Sequence, residues 1–354
     1  MLSRRRRHKL AVHTAVHRGL IGLVVLLSAV AGCSSNPLKT FASDKPRTIE
    51  PARAADSPPT SQSPAGTVRP LPSHAAAAIL DAGTHQLAVL TPGAIDVFGD
   101  PQAAPRVVGL PGPATALIGD GHGSVYLAAH GGYFAVDLPT GRVAQVNVTD
   151  ASQADFTAIA QRADGKLVLG SADGAVYTLD SPTPSGTARV SNQKKIFARV
   201  DWLATQGNTT VVLDRGQTSV TAIGADGHVH QALRAGQGAT TMASDALGRV
   251  LVADTRGGQL LVYGVDPLIL RQAYPVPQAP YGLAGSRELA WVSQTASNMV
   301  IGYDLSTGIP VEKVRYPTVQ QPNSLAFDEA SDTLYVVSGS GAGVQVIEHA
   351  AGNR

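Results

Sequence analysis

The sequence predicts an all-β protein, a ring of seven four-stranded blades forming a β-propeller over about residues 66–350. Three observations carry this. There are 37 Gly and 23 Pro in 354 residues, which suits many turns and short strands rather than long helices. No segment beyond the first 33 residues sustains a 3.6-residue apolar period. From about residue 76 onward a short β-rich unit recurs every 41 residues or so, and periods of about 40–50 residues with four strands each belong to propeller blades.

The strand that opens each unit is small and apolar. Aligned copies are Ala114–Leu117, Phe156–Ile159, Val200–Leu203, Ala239–Met242, Pro280–Leu283 and Pro322–Leu325, their last residues spaced 42, 44, 39, 41 and 42 apart. An earlier copy starts near Ala77 with Leu80 in the matching place, making seven. Second strands follow at Val125–Ala129, Leu167–Gly170, Val211–Asp214, Val250–Asp254, Leu289–Val292 and Leu334–Val337. Third strands follow at Tyr133–Asp137, Ala175–Leu179, Ser219–Ile223, Gln259–Tyr263, Met299–Tyr303 and Val344–Ile347. Asp164-Gly165, Asp173-Gly174 and Asp226-Gly227 between such runs are hairpin turns, where glycine takes a positive φ at no steric cost.

The seventh unit stops at Ile347, after its third strand. Thr67–Leu71 sits upstream of the first unit as Arg106–Leu110 sits upstream of the second. Thr67–Leu71 is therefore expected to supply the outer strand of the last blade, closing the ring and removing the sheet edges that invite aggregation.

Two repeats carry a family likeness. Ala243 through Asp254, with Asp245, Gly248 and the Val-Leu-Val-Ala-Asp run, resembles the NHL repeat. Pro322-Asn-Ser-Leu-Ala-Phe-Asp328 through Leu334-Tyr-Val-Val337, and Pro280-Tyr-Gly-Leu283 through Tyr303-Asp304-Leu-Ser-Thr-Gly308, resemble the YVTN repeat. The body thus looks like a YVTN/NHL-type propeller. That resemblance implies the fold, and it implies a superfamily holding binding scaffolds along with some hydrolases and dehydrogenases.

The chain has 28 basic and 26 acidic residues, but Arg4–Arg7, Lys9 and Arg18 all precede residue 33, where no acid lies. The remainder carries 22 basic against 26 acidic residues, net −4. It has no long Lys/Arg run and lacks the footprint of a nucleic-acid binder. The basic stretch leads into an apolar run, Leu20 to Gly32, of 13 residues. A spanning helix needs about 20, so residues 1–32 read as a signal segment. It ends in Val30-Ala31-Gly32-Cys33, which resembles the lipobox of bacterial lipoproteins. That resemblance implies cleavage before Cys33, acylation of its thiol and anchoring to the outer face of the cytoplasmic membrane. The Ala/Gly/Arg-rich leader fits an actinobacterial source. Cys33 is the only cysteine, which rules out intrachain disulfides and cysteine-cluster zinc sites. Residues 33–65 are rich in Pro, Ser and Thr with no apolar period, and read as a disordered linker spanning on the order of 30 Å.

No HExxH, GxSxG elbow or phosphate loop occurs, and no cofactor is signalled. Gly339–Gly343 is glycine-rich but opens no helix. His228 and His230 alternate along a strand with no third ligand in sight. The site expectation is geometric. In a propeller, the loops before the first strand and between the second and third strands share one face. Before the first-strand core positions stand Thr115, Thr157, Asp201, Thr240, Tyr281 and Asn323, with Trp202 adjacent. The other loop set offers Asp214, Asp254 and Arg256, along with His130, Arg215 and Asn298. Together they are expected to ring the channel mouth as a polar binding surface. The functional expectation is a membrane-tethered, monomeric propeller acting as a non-catalytic docking scaffold for a cell-envelope protein. The alternative is an enzyme at the channel mouth, a lactonase-like hydrolase or a sugar dehydrogenase.

Overall fold

A four-stranded sheet with apolar side chains on both faces cannot bury them alone, and seven such sheets arranged radially cover one another. The computed structural model describes residues 46–180 and 185–352, and among these every regular element is a β-strand. There are seven sheets. The innermost strands of blades one to seven are Ala77–Asp81, Ala114–Gly119, Phe156–Gln161, Trp202–Gln206, Ala239–Ser244, Pro280–Gly285 and Pro322–Asp328. Each blade runs outward through antiparallel hairpins. In blade five, Ala239–Ser244 pairs with Arg249–Asp254, then Gln259–Val265, then Leu268–Pro275.

The second strands are covered on both sides, which is why they read as continuous apolar runs rather than alternating ones. All five residues of Leu167–Ser171 are buried. Outer strands are solvated and polar, such as Val190–Lys195 and Val229–Arg234.

The core is divided into seven apolar clusters, one at each blade interface. Val211, Leu213 and Val220 of blade four meet Val250, Leu261 and Tyr263 of blade five. At the closing interface Leu87, Val89 and Phe98 of blade one meet Val337 and Val344 of blade seven, with Leu71 among them. The ring closes as the sequence predicts. Thr67–Arg69 pairs antiparallel with Val344–Val346 and completes blade seven.

Two features depart from expectation. Blade two has a fifth strand: Gly186–Ala188, from the connection inside blade three, pairs parallel with Val146–Val148. The linker also ends earlier than the composition suggests. Residues 46–65, expected as spacer, lie along the body, and the described residues from 46 to 352 belong to one compact unit. Their backbone polar groups are met by side chains of blades far away in sequence, so a segment with almost no apolar content is still held in place. The signal segment, Cys33 and the linker up to Lys45 lie outside the described residues.

Candidate functional site

The inner strands surround an axial channel of about 440 Å³. Its wall is mostly small and apolar, including Ala78, Ala116, Ala158, Ala204, Leu283 and Leu325. Five of the expected rim residues line it: Thr115, Thr157, Asp201, Trp202 and Asn323. Trp202 is 38% exposed there. Thr240 and Tyr281 are not part of this lining. Thr240 is buried, and Tyr281 is half-buried with its phenol pKa pushed up by burial, against the charge of Arg215.

A local backbone device explains where these residues stand. The register between first and second strands slips at Ala114/Ala116, Phe156/Ala158, Ala239/Thr241, Pro280/Leu283 and Pro322/Ser324. Thr115, Thr157, Thr240, Tyr281 and Asn323 are thus the extra residues of β-bulges, unpaired in their own ladder and re-aimed. The threonine hydroxyls reach the next blade. Thr115 Oγ1 donates to Phe156 O at 2.7 Å and Thr157 Oγ1 to Val200 O at 2.5 Å. In blade five, Thr240 Oγ1 meets Thr255 Oγ1 at 2.6 Å, and Thr255 Oγ1 donates to Pro280 O at 2.6 Å. Ser293 Oγ repeats the link to Pro322 O at 2.6 Å. These hydroxyls staple neighbouring blades around the channel, a role the sequence pattern alone did not disclose.

Asp214 and Asp254, expected on the rim, are buried instead, at 0% and 1% exposure. Each closes the end of a second strand. Asp214 accepts from the N–H groups of Ala198, Arg199 and Gln217 at 2.8, 3.3 and 2.9 Å. Asp254 accepts from Gln237, Gly238 and Gly257 at 2.9, 2.8 and 3.0 Å. A buried carboxylate with three N–H donors is satisfied, and these two tie the two loop sets of the face to each other.

Asp201 differs from both. Its side chain is 8% exposed, accepting from Arg215 N at 2.9 Å and pairing with Arg199 Nε at 3.2 Å. Burial raises its pKa, opposed by the Arg215 N–H and by the Arg215 and Arg199 charges. A carboxyl displaced upward inside a channel can hold or pass a proton nearer neutrality than a solvated one.

The second feature the sequence reading missed is the occupant of this face. Residues 46–65 cross the loops of blades four to seven as an extended strap. Ile49 N donates to Gly216 O at 2.8 Å. Arg256, an expected rim residue, is exposed but engaged: its Nη2 donates to Glu50 O at 2.8 Å. Arg215 Nη2 donates to Ala52 O. Farther on, Ala55 N donates to Thr295 Oγ1 at 3.2 Å, and Asn298 Nδ2 to Pro58 O at 2.7 Å. The only available signal was the cluster of Arg, Asn and Gln in the loop set, a donor-rich row that suits carbonyl oxygens.

On blades two and three the same face carries a His–Asp hydrogen bond and a Lys–Asp ion pair. His130 Nδ1 lies 2.7 Å from Asp155 Oδ1, both exposed, and Lys195 Nζ lies 2.5 Å from Asp173 Oδ2. Lys195 and Ser171 hold the Asp173 carboxyl below the usual range. His228 and His230 are exposed, with His230 Nε2 3.6 Å from Asp226. Among the described residues, no three His, Cys, Asp or Glu side chains group as metal ligands. Gly339–Gly343 is a tight loop joining the second and third strands of blade seven, with Ser338 N donating to Gly343 O at 3.1 Å.

No family model matches the chain, and no curated protein matches it in sequence. Solved structures do match in shape. A streptogramin B lyase superposes with a TM-score of 0.66 at 10% identity, over 80% of this chain and 97% of that one. A chain from the mitotic checkpoint complex gives 0.67 at 10% identity, over 84% and 96%. Virginiamycin B lyase from Staphylococcus aureus gives 0.62 at 10% identity, over 76% and 93%. At such identities these likenesses show the seven-bladed propeller fold and nothing finer.

Proposed function

We propose that this chain is an extracytoplasmic β-propeller, tethered to a membrane through an acylated Cys33, that works as a docking scaffold for another protein. One observation carries the docking reading. The loop face of blades four to seven already holds an extended polypeptide, its own strap, with Arg, Asn and Gln side chains aimed at main-chain carbonyls. A face built that way is suited to grip a peptide. The exposed His130–Asp155 and Lys195–Asp173 contacts on blades two and three extend it as a polar rim. The fold likeness to a chain of the mitotic checkpoint complex accords with a propeller working inside an assembly.

The test is site-specific photocrosslinking in membranes, with the crosslinker at Gln153 or Lys195 on the loop face and at Leu247 on the opposite face. The same partner band from both loop-face positions, and none from Leu247, is the expected result. Equal labelling from all three sinks the reading. For the tether, Cys33→Ala should move the protein to the soluble fraction, and a variant that stays with the membrane removes lipidation as the anchor.

A second reading, an enzyme at the channel mouth, is favoured by Asp201. Its pKa is raised, and it lies beside the part-exposed Trp202 in a cavity large enough for a small substrate. The likeness to two lyases points the same way. Turnover of lactones, sugars or cyclic esters by the purified chain, lost in Asp201→Asn, would establish it. A stoichiometric bound calcium or zinc would add to it.

A further inference from the structure

The strap is read almost entirely through its backbone. Arg256, Arg215, Gln321, Gln320 and Asn298 donate in turn to the carbonyls of Glu50, Ala52, Ala55, Ser57 and Pro58. Most of the intervening side chains, including Pro51, Arg53 and Asp56, point to solvent.

Two strap side chains are the exception. Ala52 is 7% exposed. It sits over Gly238, where a Cβ would fall 2.9 Å from that of Ala52 and 2.7 Å from that of Arg256. The floor therefore admits a methyl group and little more. Ser57 makes three further hydrogen bonds through two atoms: its N–H donates to Gln321 Oε1 at 3.0 Å, its Oγ donates to Thr295 O at 2.5 Å, and Gln321 N donates to its Oγ at 3.0 Å. The readout is a small residue followed five positions later by serine.

The strap is also dispensable for closing the ring, because Thr67–Arg69 completes blade seven independently. Its only deeply buried apolar side chain over 46–60 is Ala52. It is thus a segment anchored by hydrogen bonds rather than by apolar burial, in a site built for extended chain.

We propose that the groove on blades four to seven is a binding site for an extended polypeptide bearing a small residue five positions before a serine. Residues 49–58 are its intramolecular occupant, and a segment of the same pattern in the partner protein displaces them. This rests on the docking reading above and adds the ligand pattern and the competition that regulates access. A tethered occupant works at an effective concentration on the order of millimolar, so a free peptide competes poorly until the strap is unseated.

The test uses the full chain and a labelled synthetic peptide spanning residues 47–60. Ala52→Glu puts a carboxylate where only a methyl fits and should unseat the strap, with faster amide exchange at Ile49, Ala55 and Ser57 and little change in melting temperature. That variant should bind the peptide about tenfold or more tighter than the parent. Ser57→Ala in the peptide, or Arg215→Ala added to the Ala52→Glu chain, should reverse most of the gain. Four results would overturn the proposal. One is equal binding by parent and variant, and another is an Ala-for-Ser peptide that binds as well. The third is no binding by a variant whose strap amides have become fast. If those amides stay protected in both Ala52→Glu and Ala52→Glu/Ser57→Ala chains, the strap is a fixed part of the fold and the proposal fails. None of these results alters the crosslinking pattern expected at Gln153 and Lys195, so this inference can fail while the docking reading stands.

Discussion

Thr157 bonds out of its own blade: its hydroxyl donates to the carbonyl of Val200, 43 residues later, at 2.5 Å. Thr115 makes the equivalent bond to Phe156, 41 residues later. Each hydroxyl occupies a bulge, so its shorter bond goes to a carbonyl at or just before the start of the neighbouring blade's inner strand, while it also lies 3.3 Å from a carbonyl of its own second strand, Ala128 O or Gly170 O. Replacing either threonine by valine keeps the shape and deletes the donor. Thr115→Val and Thr157→Val are each expected to cost about 1 kcal/mol, and roughly the sum when combined. Urea unfolding of the two singles and the double checks this, and no loss in either single would show the staples to be incidental.

Ring closure makes a sharper demand. Starting the chain at residue 76 removes the outer strand of blade seven and takes Leu71 from the cluster shared with Leu87, Val337 and Val344. Loss of a buried leucine alone costs about 2–5 kcal/mol. A melting temperature lower by about 10 °C or more is expected for a body of this size. A truncated chain that melts like the parent would mean that this strand does not close the ring energetically.

Asp201 makes stability depend on pH in a stated direction. Its folded pKa is raised, so the ionised form is costlier in the folded state than in the unfolded one. The cost is absent below the unfolded value of about 3.9 and grows as pH rises through it towards the folded value. Asp201→Asn, which keeps an oxygen for the Arg215 N–H, should melt higher than the parent at pH 7. The gap should close as the pH falls towards about 4. Thermal melts across that range decide it. A lower melting temperature for Asp201→Asn at pH 7 would mean that the arginine pairing outweighs burial.

Asp254 and Arg256 lie two residues apart and should behave differently. Asp254→Ala leaves three N–H groups without their acceptor and is expected to cost about 3 kcal/mol or more. Arg256 is exposed and holds only the strap and a neighbouring carbonyl. Arg256→Ala should cost about 1 kcal/mol or less while speeding amide exchange in residues 49–52. Denaturant midpoints and hydrogen exchange separate the two effects, and similar losses of stability would argue that the strap is structural.

The sequence by itself determined the ring. A buried strand must be apolar along its length, its turns need Gly and Asp, and each blade must resemble the last because it packs against neighbours of the same kind. The seven units, the strand positions and the closing role of Thr67–Arg69 were therefore legible in spacing alone. Asp201, Trp202, Thr115, Thr157 and Asn323 were placed at the channel by the same arithmetic. The tertiary structure decided what those residues touch. A bulge shifts register by one residue without changing composition, so the stapling role of Thr115 and Thr157 had no mark in the sequence. Asp214 and Asp254 read as loop carboxylates until the packed loops brought three N–H groups to each. The strap was the least legible of all. Its residues carry no apolar period because it is held by donors on Arg215, Arg256, Asn298 and Gln321, which lie between 163 and 266 residues away and meet it only once the ring has formed.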